Sequence, residues 1–154
     1  MKMNETMRVE LDRSVLCWLA TVSADGMPNV SPKEMFAGFG QEAIVIADIA
    51  SPVSVRNIRA NPKVCVSFID IFRQRGFKAA GTAEIIAPDE DDFRRYGADL
   101  IENAGTDFPI RHVILVTVQH VARIKAPSYF LFPDRSEDEM MREAYRTYGM
   151  QPAS

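Results

Sequence analysis

The stretch from Asp48 to Pro62, DIASPVSVRNIRANP, holds the side chains best suited to chemistry, and that chemistry is the binding of an anion. Ser51 is a good N-cap, its hydroxyl able to accept from an orphan N–H of a first helical turn. Pro52 suits the first helical position, where its missing N–H costs nothing. A helix starting at Ser51 offers free N–H groups and the positive end of a dipole, with Ser54 and Arg56 close by and Arg59 one turn further on. Other chemistries are quickly excluded. His112 and His120 lie eight positions apart on one expected strand, too far along it to share an ion, and read as ordinary sheet residues. The acidic run Asp89 to Asp92 reads as a solvated helix N-terminus rather than a cation site. Cys17 and Cys65 sit in apolar segments without C-x-x-C or His spacing, as buried, reduced thiols do. No G-x-S-x-G, P-loop or G-x-G-x-x-G occurs, no metal site is expected, and no side chain stands out as a general acid or base.

Composition narrows the partners. The chain has 154 residues, 47% hydrophobic and 25% charged, which fits a single domain with a real core. A net charge of −3 gives no long basic field for a nucleic-acid backbone. No uncharged apolar run reaches membrane-spanning length, and the N-terminal MKMNETMRVELDRS is too polar and acidic for a signal peptide, so a cytoplasmic protein with no membrane partner is expected.

The elements around the anion site are mainly strands. Asn4 to Leu16 places Val9, Val15 and Leu16 at helical spacing and predicts an amphipathic helix. WLATVS, Ala24-Asp25-Gly26 and PNVSPKEMFAGF read as strand, tight turn, strand, since Asp-Gly supplies the positive φ a hairpin needs. AIVIAD is a short β-branched run that must be buried on both faces. After the Ser51 helix, Asn61-Pro62 stops it and KVCVSFID resumes as strand. FKAAGTAEII follows the turn at Phe72 to Gly76, with Gly81 a bulge or close backbone approach. DEDDFRRYGADLIENAG reads as a charged surface helix capped by Gly105, RHVILVTVQHVARI as a central strand, and Glu137 to Tyr148 as a terminal helix. Six strands, mostly joined by hairpins, argue for an antiparallel barrel with peripheral helices rather than a doubly wound sheet.

Two segments taken together carry a resemblance. Ala20-Thr21, Gly26 and Pro28 on the hairpin are followed by Ser51, Arg56-Asn57, Asn61-Pro62, the strand Val64 to Phe68 and Gly81-Thr82-Ala83. In this order they resemble the pyridoxamine 5′-phosphate oxidase-like family of FMN-binding split barrels, over about half the chain. The resemblance implies a six-stranded antiparallel split barrel, mainly β with peripheral helices, forming a homodimer with FMN at the interface and acting on a small molecule. Carried over, Asn29, Val30, Ser31, Pro32 and Lys33 would line the flavin ring and ribityl chain. Ala47, Asp48, Ser51, Ser54, Arg56 and Asn57 would hold the phosphate end, which agrees with the preference of a dianion for helix-terminal N–H groups, a hydroxyl and a guanidinium fork.

Departures from the pattern matter as well. Ser54 stands where many members have a lysine, and Lys33 is the candidate to replace it. The Trp- and Arg-containing C-terminal motif of true pyridoxamine phosphate oxidases is missing, which disfavours vitamin B6 oxidation. The expectation is an FMN-dependent oxidoreductase, against a carrier, store or redox sensor without turnover, or a split barrel using haem or a deazaflavin. Arg56 alone would also suit a solvated helix, and Lys33 an edge-strand charge.

Overall fold

The computed structural model of the chain describes residues 3–153, so Met1, Lys2 and Ser154 lie outside it. Seven strands form one antiparallel sheet: β1 Cys17–Val22, β2 Pro28–Lys33, β3 Phe36–Phe39, β4 Ala43–Asp48, β5 Lys63–Asp70, β6 Arg75–Ile86 and β7 His112–Lys125. Five helices surround it: α1 Glu5–Arg13, α2 Pro52–Ala60, α3 Asp91–Ala104, α4 Ser128–Leu131 and α5 Glu137–Tyr148. The sheet order is β2-β1-β5-β6-β7-β4-β3. Its two ends, β2 and β3, are separated along the chain only by Glu34 and Met35. The sheet must therefore curl until its ends nearly meet, which makes it a split barrel.

The same bend accounts for seven strands where the sequence reads six. PNVSPKEMFAGF cannot stay one regular strand, because its first half pairs with β1 and its second half with β4, at opposite ends of the sheet. The Met35 carbonyl accepts from Ala47 N–H at 2.9 Å, fixing the corner beside β4.

Strand alternation then sorts the core. On β4, Ile44 and Ile46 point into the barrel, among Leu19, Val66, Phe68, Ile114 and Val116. Val45 and Ala47 point the other way, under α3, with Phe93, Leu100, Val113 and Leu115. AIVIAD is thus buried on both faces, as its unbroken apolar run requires. Gly81 sits at the register shift between β6 and β7, and a Cβ there would collide with the Thr117 carbonyl oxygen. The first helix departs from its expected face. Asn4 caps it by accepting from Met7 N–H at 2.9 Å, and it buries Met7, Glu10 and Leu11. Val15 lies beyond its end and is 86% exposed, because the chain turns at Ser14 to enter β1.

No helix among the described residues is long and apolar enough to cross a membrane.

Candidate functional site

The site forms where the corner after β2, the end of β4 and the start of α2 converge. β2 alternates, sending Asn29, Ser31 and Lys33 inward and leaving Val30 and Pro32 outside. Lys33, the last inward residue before the bend, is only 7% exposed. Its ammonium donates to Ser51 Oγ. Burial pulls the Lys33 pKa below the usual lysine value, while the carboxylate charge of Asp48 pushes it back up. Cys17, opposite Lys33 in the β1–β2 register, is fully buried, and its thiol pKa is pushed up to about 12 by that burial. It stays an inert core thiol.

Asp48 organises the other side. It ends β4 and is 2% exposed. Its Oδ1 accepts the Ser51 N–H at 2.9 Å, folding the turn that launches α2. Its Oδ2 lies 2.8 Å from His112 Nδ1. The two residues face each other in the β4–β7 register, and the Asp48 carbonyl accepts from Arg111 N–H at 2.8 Å. α2 starts at Pro52, directly after Ser51. The Ser51 hydroxyl, however, makes no capping bond. It accepts from Lys33 instead, and Asp48 supplies a carboxylate oxygen to the helix entry from three residues back.

Two cavities meet at Ser51. The larger, about 650 Å³, is walled mainly by apolar groups, including Leu16, Pro32, Met35, Phe36, Ile49, Leu100 and Phe108, with Lys33, Glu34, Ser51 and Asn103 as polar points. The smaller, about 320 Å³, is bounded by Asp48, Ser51, Val55 and His112 and by three guanidiniums, Arg56, Arg59 and Arg111. One end therefore suits a flat apolar body and the other an anion.

Of the residues singled out from sequence, Pro32, Lys33, Ala47, Asp48, Ser51 and Arg56 come together on these walls. Asn29, Val30, Ser31, Ser54 and Asn57 do not line either cavity. Val30 is 56% exposed on the outer face of the sheet. Ser54 and Asn57 are buried on the packed side of α2, where Asn57 Nδ2 donates to Thr21 Oγ1 at 3.1 Å. Asn29 reaches the same hydroxyl at 3.4 Å. His112, which spacing alone reads as an ordinary sheet residue, belongs to the site. Its nearest polar partner is a carboxylate 64 positions earlier, which local spacing cannot reveal. Arg111 beside it is the legible signal, a basic pair placed directly before the apolar run Val113 to Val116. Phe108 carried none. Among the described residues no cluster of His, Cys, Asp or Glu could hold a metal ion.

Fold and site together define a split-barrel protein with a bipartite cleft, apolar at one end and cationic at the other. The family pattern described as pyridoxamine 5′-phosphate oxidase matches residues 3–125, so the chain belongs to that family. The match ends with the last residue of β7, leaving α4 and α5 outside it. Among solved structures, an F420 reductase is 28% identical over 78% of this chain and 98% of its own, with a TM-score of 0.58. An FMN-binding protein from Syntrophomonas wolfei subsp. wolfei is 15% identical over 79% and 86%, TM-score 0.65. HutZ, the haem storage protein from Vibrio cholerae, is 20% identical over 79% and 94%, TM-score 0.63. At such identity the last two speak for the fold alone. No curated protein matches the chain.

Proposed function

We propose that this chain is an FMN-binding flavoprotein that acts as a flavin-dependent oxidoreductase on a small molecule. The observation that carries the reading is the bipartite cleft: an apolar cavity of about 650 Å³ meeting, at Ser51, a pocket lined by three arginines. A flavin phosphate has the matching shape and charge, a wide ring system at one end and a dianion at the other. Arg56, Ser51 and the first N–H groups of α2 would hold the phosphate. Pro32, Lys33, Ala47 and Ile49 would face the body of the cofactor. Bound there, FMN supplies the redox chemistry, and the protein binds and orients it. Membership of the family supports this reading.

A homodimer belongs to the proposal. Trp18, 44% exposed, and Val30, 56% exposed, project from the outer face of the β1–β2 hairpin and give a second copy an apolar surface to cover. Trp18→Glu is expected to shift the protein to monomer in sedimentation.

The test of the cofactor is direct. Purified protein is expected to be yellow, or to gain thermal stability with FMN, and to bind riboflavin, which lacks the phosphate, more weakly. Arg56→Ala is expected to weaken FMN binding about tenfold or more, given the 1.5–3 kcal/mol typical of hydrogen bonds to charged groups, and to do so more than Arg59→Ala. A colourless protein whose melting temperature ignores FMN and FAD sinks the reading. A haem or deazaflavin chromophore on the purified protein would replace it. Among the described residues the larger cavity is lined by two ionisable side chains, Lys33 and Glu34, and this favours one second reading, a carrier or sensor without turnover. Anaerobic reduction by NADH or NADPH followed by reoxidation with oxygen or a quinone separates the two; failure with every donor selects the carrier.

A further inference from the structure

The smaller pocket carries more positive charge than a single phosphate monoester neutralises. Arg56 and Arg59 lie three positions apart on α2, one above the other on its exposed side. Arg111 approaches from the start of β7, held by its N–H to the Asp48 carbonyl. Among the described residues none of the three guanidiniums has a carboxylate within salt-bridge range. Asp48 is the one acidic residue on the wall, and both of its oxygens are engaged, by Ser51 and by His112. Lys33 stands close enough to offset its charge.

Three unpaired like charges around one pocket of about 320 Å³ repel one another until an anion enters. A phosphate monoester brings about −1.5 to −2 at neutral pH, so at least one guanidinium is left over. We propose that Arg59 and Arg111 form a second anion subsite beside Arg56 and Ser51, so that the cleft takes a ligand whose anionic end carries more than one phosphoryl or carboxylate group. The inference rests on the flavin reading for the ring end of the ligand and extends it at the charged end. Arg56, next to Ser51, serves the first anionic group. Arg59, one turn deeper into the helix, and Arg111, across the pocket, serve the second.

Inorganic phosphate and pyrophosphate are the probes, titrated against the full chain by calorimetry at low ionic strength, where exposed charges are least screened. Wild type is expected to bind pyrophosphate at least about tenfold more tightly than phosphate, one extra charge-assisted hydrogen bond sufficing for that factor. Arg59→Ala and Arg111→Ala are each expected to remove most of this preference while leaving phosphate affinity within about twofold. Arg56→Ala is expected to weaken both probes alike, and Arg142→Ala, on α5, neither. Equal affinity of wild type for the two anions overturns the proposal. So does a preference that survives both the Arg59 and the Arg111 substitution. Because neither probe contains a flavin, these outcomes are independent of the colour and FMN tests: FMN can bind while the second subsite fails, and the reverse.

Discussion

Lys33 shows how one residue joins stability to binding. It is the inward position of β2 that meets both Ser51 and the larger cavity, and burying its ammonium costs free energy that a bound anion or the nearby Asp48 offsets. Lys33→Met is therefore expected to raise the Tm of the ligand-free protein by a few degrees while weakening FMN binding, a stability–function trade-off readable in two melting curves with and without FMN. The pH dependence has a definite sign. With the folded pKa below the ordinary 10.5, the unfolded chain binds this proton more readily, so stability rises with pH between the folded value and 10.5. The Met variant lacks that rise, and chemical denaturation at a series of alkaline pH values compares the two. His112 is the complementary case: only its Asp48 contact, made across two strands, separates it from His120, which sits far along the same strand.

Among the elements, α2 and the β6–β7 ladder set the geometry. α2 starts where it does because Pro52 fixes a helical φ and Asp48 accepts from Ser51 N–H, so the anion end is pinned to β4 rather than left on a free loop. Its other face is committed to packing, with Ile58 in the barrel core and Asn57 on Thr21. Gly81 has a comparable role in the sheet: the shift between Ala80 and Gly81 lets β7 follow β6 over its whole length. Gly81→Ala is expected to cost about 3 kcal/mol in urea unfolding, since the obstructing atom is a backbone oxygen that cannot turn aside. At the β5–β6 turn, Gln74 is the one described non-glycine residue with positive φ, at 53°. Gln74→Gly is expected to stabilise the fold by about 1 kcal/mol in the same assay by relieving that conformation.

For the molecule as a whole, a charged network ties the outer helices to the sheet. Glu10 on α1 is 5% exposed and lies 2.8 Å from Arg123 on β7 and 3.0 Å from Arg75 on β6. Arg75 also pairs with Glu137 at the start of α5, as does Arg73 at 3.0 Å. Breaking a buried pair strands a charge, so Glu10→Gln is expected to cost about 3 kcal/mol, against less than about 1 kcal/mol for Glu137→Gln, whose side chain is 35% exposed. Equal losses in urea unfolding would contradict that ranking. The sequence by itself determined the strands, the helix entered through Ser51-Pro52, the bulge at Gly81 and the family resemblance, because these rest on backbone preferences and periodicities that act over a few residues. Only the tertiary structure decided that the strand read from Pro28 to Phe39 must break at Glu34 and Met35 to close the barrel. The same closure turned Ser54 and Asn57 into packing, gave the Ser51 hydroxyl to Lys33, and set Arg111 and His112 beside Arg56. Such neighbours are chosen by how the sheet curls, and curling depends on pairings between strands that lie far apart along the chain.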